Sequence, residues 1–416
     1  MKRLTLYLTL SLLLMLSLFT ACSTEPFIED PLPVPSPDSF DNAYTNANNA
    51  FSIDMYHKFQ EDNKNMFFSP YSITSALVMT YEGAKGTTAE EMQTVLHFPD
   101  DKAVLRESFL GTYATINKPQ DIYKLETANA LWIQESFNLL PEYMVTIKEF
   151  YQGRLYDVDY VGEPQKSRRT INNWVEDKTN NKIKDLIPAS VITPDTRVIL
   201  TNAIYFKGDW ANTFKAKSTY EKPFTLSSGE DVTVKMMHDT KYTPYGETKN
   251  YKFLELPYEG DDLSMVILLP KENDISSLEK DITSENMANW LGELETEEVR
   301  IQLPKFTFET KEFMGSDLQE MGMPTAFSGS ADFSGMTAET DLQISEVIHQ
   351  TFIEVDEKGT EAAAATAVVM IATSAGPGFE KAPPKEFYAD QPFIFLIQHK
   401  ETGTILFMGK VENPLG

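Results

Sequence analysis

Side chains able to do nucleophilic or metal chemistry are scarce in this sequence. The histidines are His57, His97, His238, His349 and His399, and the one cysteine is Cys22. No pair of histidines has the HExxH spacing that sets two imidazoles on one helix face around zinc. No GxSxG turn presents a serine, and there is no Walker or EF-hand loop. One cysteine builds neither a zinc cluster nor a disulfide. No catalytic residue, metal site or cofactor is therefore expected. A second kind of chemistry is the kind done to a chain. Glu354 to Phe379 starts acidic, at Glu354, Asp356, Glu357 and Glu361, and then carries no charged side chain from Ala362 to Phe379. Ala362, Ala363, Ala364 and Ala365 open the uncharged run. Thr366, Val368, Val369, Ile371 and Thr373 continue it with β-branched side chains, and Gly376-Pro377-Gly378 ends it.

Such a run needs an element to hold it, because an uncharged, strand-forming segment without proline aggregates when it lies open. In a strand, alternate residues share a face. One face reads Thr360, Ala362, Ala364, Thr366, Val368, Met370, and the other reads Glu361, Ala363, Ala365, Ala367, Val369, Ile371. The first face is uncharged and small at its leading end, so it could slide between two existing strands. An ordinary buried strand or an alanine-rich helix is compatible with the same residues.

The rest of the chain supplies a large scaffold. It has 416 residues, 42% of them hydrophobic, and a formal net charge of −26, which argues against nucleic-acid binding. Residues 1–21 read as a targeting segment: Lys2 and Arg3, an apolar run from Leu4 to Phe19, then Thr20-Ala21 before Cys22. This resembles a bacterial lipoprotein signal, which implies a lipid on Cys22 and a membrane-anchored protein of the bacterial cell envelope, facing the periplasm or the exterior. Residues 22–45 hold Pro26, Pro31, Pro33, Pro35 and Pro37 and read as an extended, disordered tether. Phe51, Met55 and Phe59 suggest a first helix. Met66 to Phe68 suggests a strand, and Ser69-Pro70 a capped helix ended at Gly83. Thr87 or Thr88 is placed to cap another. Hairpins are expected around Glu259 to Asp262 and around Glu401 to Gly403. Helices dominate the first third and strands the remainder, an α+β pattern.

Ordered motifs then carry a resemblance. FSPYSITSAL (Phe68 to Leu77), GAKGTT (Gly83 to Thr88), ANALW (Ala128 to Trp132), INNWV (Ile171 to Val175), TNAIYFKGDW (Thr201 to Trp210), LPKF (Leu303 to Phe306), ADFSG (Ala331 to Gly335), Ile348-His349, EKGTEAA (Glu357 to Ala363), PFIF (Pro392 to Phe395) and FMGKVENP (Phe407 to Pro414) resemble the serpin family in sequence and order. The resemblance spans residues 46–416 as a single domain. It implies a central, mainly antiparallel sheet with further sheets, a helical N-terminal part and an exposed reactive loop at about 357–390.

The resemblance also implies an activity and the residues behind it. The chain would be a suicide inhibitor, with a target serine protease as covalent partner. The hinge would be Glu357, Gly359, Thr360, Glu361 and Ala362 to Ala365. Family spacing puts the reactive bond at Thr373-Ser374, with cleavage after Met370, Ile371 or Ala372 as alternatives. The small and apolar residues there suit elastase- or subtilisin-like targets. Ser69, Ser72, Asn202, His349 and Trp210 would form the region where the sheet opens, with His349 hydrogen-bonded among Ser69, Ser72 and Asn202. Lys305 and Glu357 would form a hinge salt bridge. A non-inhibitory binding module is the alternative. A monomer is expected, at risk of loop-to-sheet polymerisation.

Overall fold

The computed structural model describes residues 41–61, 63–360 and 382–416. The signal and Cys22, most of the tether, Glu361 to Ala365, and Met370 to Ser374 lie outside the described residues.

The helices are α1 (Ala43–Phe59), α2 (Pro70–Gly83), α3 (Gly86–Val95), α4 (Lys102–Ile116), α5 (Pro141–Thr146), α6 (Pro164–Lys178), α7 (Ile275–Asp281), α8 (Ser284–Gly292) and α9 (Gly315–Met321). The strands are β1 (Met66–Phe68), β2 (Lys124–Gln134), β3 (Arg154–Val158), β4 (Val198–Asp209), β5 (Tyr220–Thr225), β6 (Asp231–Glu247), β7 (Tyr251–Pro257), β8 (Leu263–Pro270), β9 (Glu295–Pro304), β10 (Phe306–Phe313), β11 (Ile344–Val355), β12 (Gly359–Thr360), β13 (Lys385–Tyr388), β14 (Phe393–His399) and β15 (Thr404–Val411). The expected strand at Met66 and both expected hairpins, β7–β8 and β14–β15, form.

Three local expectations change. The helix α1 begins at Ala43, inside the stretch assigned to the tether, because Tyr44 and Thr45 are buried side chains. Gly83 does end α2, but through close packing rather than a left-handed turn: a Cβ there would stand 1.9 Å from Cγ of Met336. Neither Thr87 nor Thr88 caps α3, which already starts at Gly86, and Thr88 is buried within it.

Two sheets organise the strands. One has nine strands, antiparallel except where β13 meets β9. The other has six strands in the order β10-β11-β12-β4-β2-β3, with β11 also paired directly to β4. Its two faces pack on different cores. Leu131, Leu200, Ile204, Val347 and Ile353 join the main core above α2. Trp132, Ile199, Ala203 and Ile348 join a second core with Ile171 and Val175 of α6. Adjacent residues of one strand entering different cores is the period-2 alternation of a strand buried on both faces.

Candidate functional site

β4 and β11 run parallel, side by side, from Val198 against Ile344 to Ile204 against Thr351. Both of their neighbours on the far sides, β2 and β10, are antiparallel to them. At one end the pair is spread apart. There β12 lies between them, with Gly359 opposite Asp209, and Thr360 opposite both Gly208 and Val355, antiparallel to both strands. The chain reaches this position through a tight turn. The Gly359 carbonyl accepts from Asp356 N–H at 2.9 Å, and Asp356 Oδ1 accepts from Lys358 N–H at 2.8 Å. Only glycine fits at 359, since a Cβ would stand 2.0 Å from the Gly208 carbonyl oxygen.

The 210–214 segment holds the turn from the side. Trp210 N–H donates to the Lys358 carbonyl at 2.6 Å, and Trp210 Nε1 donates to the Asp356 carbonyl at 3.0 Å. Phe214 N–H donates to the Glu357 carbonyl at 2.7 Å. The indole stacks on Tyr258 at 4.6 Å, and the Tyr258 hydroxyl meets Thr360 Oγ1 at 2.6 Å. Lys305 Nζ donates to Glu357 Oε2 at 2.6 Å, as the expected hinge pair requires. Burial would raise the Glu357 carboxyl, but the Lys305 ammonium and local hydrogen bonds outweigh it and hold it below its ordinary value.

A polar cluster sits halfway down the β4–β11 seam. His349 faces Asn202 across it. Nε2 of His349 accepts from Ser69 N–H at 3.0 Å, and Nδ1 meets Asn202 Oδ1 at 2.5 Å. A backbone amide only donates, so the neutral imidazole carries its proton on Nδ1. Burial drives its pKa down to about 3, against a smaller opposing pull from Asn202. Ser69 caps α2, its Oγ accepting from Ser72 N–H at 3.2 Å and donating to the Leu406 carbonyl at 2.6 Å. Asn202 Nδ2 is buried with no partner among the described residues.

Two expected members stand elsewhere. Ser72 does not reach His349. Its side chain lies one helical step away and donates to Asn129 Oδ1 at 2.6 Å, while Asn129 Nδ2 donates to the Ser72 carbonyl at 3.2 Å. Trp210 is eight residues beyond Asn202 on an extended chain, about 26 Å at 3.3 Å per residue, so it belongs with the Asp356–Gly359 turn. Asn129 and Tyr258 were not read from the sequence. Asn129 leaves a trace, being a polar residue inside an apolar strand that must find a partner. Tyr258 leaves none.

A family model described as serpin (serine protease inhibitor) matches residues 46–414. The chain belongs to the serpin family. An uncharacterized serpin-like protein of Methanosarcina acetivorans is 46% identical over 370 residues, covering 88% of this chain and 85% of the relative. The leukocyte elastase inhibitor of Bos taurus is 40% identical over 379 residues, covering 88% of this serpin and 98% of the relative. Among solved structures, the thermophilic serpin tengpin in its native state superposes with a TM-score of 0.82 at 29% identity, covering 92% of this chain and 97% of that one. The α+β architecture is thus that of a serpin. Some relatives are protease inhibitors, and serpins are generally not enzymes.

Proposed function

We propose that this serpin is a suicide-substrate inhibitor of serine proteases with elastase- or subtilisin-like preference. Reactive-loop insertion is established behaviour of the family, not a deduction from this chain. The observation that carries the proposal here is β12, which stands as the first rung of a strand between β4 and β11. A strand antiparallel to both would replace one parallel pairing by two antiparallel ones, which are slightly stronger per residue. No register slip is needed. Stepping down from Thr360, level with Gly208 and Val355, brings Thr366 level with Asn202 and with His349, which already face one another. Thr366 would then offer its hydroxyl to the unpartnered Asn202 Nδ2. Four further steps bring Met370 level with Val198, where β4 begins, so Ile371 to Thr373 are left to reach a bound protease.

In the proposed reaction, the protease serine Oγ attacks the Thr373 carbonyl carbon. An ester forms, the Thr373–Ser374 bond breaks, and the Ser374 amine leaves with the serine's proton. The tethered loop then fills the seam and carries the protease about 35 Å to the other end of the sheet. Distortion of the captured site leaves the ester unhydrolysed. The test is incubation with elastase-, subtilisin- and trypsin-like proteases. An SDS-resistant adduct with the first two, releasing a fragment that begins at Ser374, is expected. Quantitative loop cleavage with no adduct would return the chain to a non-inhibitory binding role. Cleavage after Lys381 within a stable adduct would overturn the specificity.

The proposal extends to location. Cys22 carries a lipid that anchors the protein in the bacterial envelope, and a Cys22→Ser variant is expected to lose metabolically incorporated palmitate. Equal labelling of the variant would exclude that attachment.

A further inference from the structure

One buried charge is left unused by the inhibitor mechanism. Lys241 stands within β6, opposite Val299 of β9, and its side chain is only 7% exposed. Its Nζ donates to the Asn212 carbonyl and, at 3.1 Å, to the Thr213 carbonyl. The ammonium also lies 4.1 Å from the centre of the Phe214 ring and 3.6 Å from Asp239 Oδ2. Burying a lysine is costly, and the charge-assisted hydrogen bonds, the ring face and the carboxylate offset that cost. An apolar side chain would pack here without it, so stability alone does not account for a lysine. The cleft beside it, between Trp210 and Pro257, holds only about 10 Å³, no more than one water, so the charge is not there for a ligand.

The carbonyls that Lys241 holds belong to the segment that grips the hinge turn. That segment is tied near its start by Ala211 N–H, which donates to the Pro257 carbonyl at 2.9 Å, and near its end by Lys241. The next residue, Phe214, donates its N–H to the Glu357 carbonyl, and Trp210 holds the Asp356 and Lys358 carbonyls. A chain of contacts thus runs from β6, through 212–214, to the turn that sets Gly359 and Thr360 between β4 and β11. We infer that Lys241 is a positioning residue for loop insertion: it holds the 212–214 segment, and through it β12, at the mouth of the seam. The effect on trapping rests on the inhibitor reading, whereas the hold itself does not. With the hold released, the first rung leaves its place, and a cleaved loop enters the seam more slowly than water hydrolyses the protease ester.

The charge gives the test its sign. Burial lowers the Lys241 ammonium to a pKa of about 8, against the pull of Asp239 and with a smaller push from Lys215. These are the charged groups that act on it; Val299 of β9 and Leu256 and Pro257 of β7 bring none. Between pH 7 and pH 9 the ammonium becomes an amine, whose hydrogen bonds are roughly half as strong, and the hold weakens. Global stability moves the other way. An unfolded lysine keeps its proton to about pH 10.5, so the fold gains stability from this group as the pH rises from about 8 to 10.5. Loss of trapping without loss of stability is therefore the signature of Lys241.

The experiment uses the full chain and an elastase-like protease, and reads the ratio of SDS-resistant adduct to cleaved serpin. Lys241→Met should lower that ratio about tenfold or more, and Lys241→Arg, which stays charged, should remain within about threefold of wild type. From pH 7 to pH 9 the wild-type ratio should fall about threefold further than that of Lys241→Arg, with no matching fall in melting temperature. A ratio unchanged in Lys241→Met, an equal loss in Lys241→Arg, or parallel pH profiles overturns the assignment. If Lys241→Met misfolds, the comparison of wild type with Lys241→Arg still decides. The hold is also read without protease, from Trp210 fluorescence. Its emission should shift between pH 7 and pH 9 in the wild type but not in Lys241→Arg, and the shift should vanish in a Trp210→Phe background. If the wild type is cleaved without forming an adduct, the inhibitor reading fails and the Trp210 signal alone decides: a shift supports the hold, and its absence overturns it.

Discussion

His349 accepts a hydrogen bond from Ser69 N–H and donates one to Asn202 Oδ1, so it has no free lone pair with which to take up a proton. The sign of the pH effect follows. An unfolded histidine binds its proton near pH 6.5, and this one only near pH 3. Stability is therefore unaffected above pH 6.5 and falls below it, by up to about 1.4 kcal/mol per pH unit until about pH 3. Urea midpoints at pH 7 and pH 5 should differ more in the wild type than in His349→Gln; equal differences would count against a buried neutral imidazole. Gly359 gives a second residue-scale prediction. Gly359→Val sets a side chain against the Gly208 carbonyl, and should cut the adduct-to-cleavage ratio by roughly tenfold, the equivalent of about 1.4 kcal/mol, in a gel assay of both products. At this scale the sequence was readable where residue and motif coincide, as at His349, Lys305 and Glu357. It was silent where a partner comes from another element: nothing near Ser72 names Asn129, and nothing near Trp210 says that it lies against the 356–359 turn.

For the elements, the decisive relation is that β4 and β11 are parallel and level with each other, with β12 level with both. On the proposed insertion, the same stepping would put Ala364 between Ile204 and Thr351, both buried, and Ala363 between Tyr205 and the half-buried Phe352. A charge at 364 would enter the core unpaired, at a cost of several kcal/mol, whereas one at 363 faces a less enclosed surface. If the chain traps proteases as proposed, Ala364→Arg should be cleaved without forming the adduct, and Ala363→Arg should retain part of it. Equal loss in both variants would mean the loop enters with the other face inward. Hairpins and capped helices were legible because their signals are local: Ser69 before Pro70, glycine-rich turns between apolar runs. The parallel pairing of β4 with β11 was not, because some 135 residues separate the two strands and parallel register leaves no short-range mark.

The whole molecule should respond to loop cleavage as a unit. Filling the seam makes on the order of 20 backbone hydrogen bonds at ~0.5–1.5 kcal/mol each, offset by the loss of the direct β4–β11 pairing and by ordering of the loop. A net gain of about 10 kcal/mol would raise the melting temperature by roughly 13 °C for a domain of this size. Differential scanning calorimetry before and after limited proteolysis checks this, and an unshifted transition would mean that no energy is stored in the intact form. One further contact has a consequence at this scale. The helix α1 completes its burial against β15: Asn48 Nδ2 donates to the Ile405 carbonyl at 3.0 Å, and Thr45 Oγ1 meets Thr404 Oγ1 at 2.9 Å. Some 350 residues of chain lie between these partners, so the buckle of the molecule joins its earliest and latest helical and strand segments. During synthesis α1 can meet α2 and α4 early, but the face it turns to β15 stays uncovered until β15 has left the ribosome. Completion of the fold thus waits on β15, and a chain halted before Thr404 should be cut by proteases more readily than the finished domain.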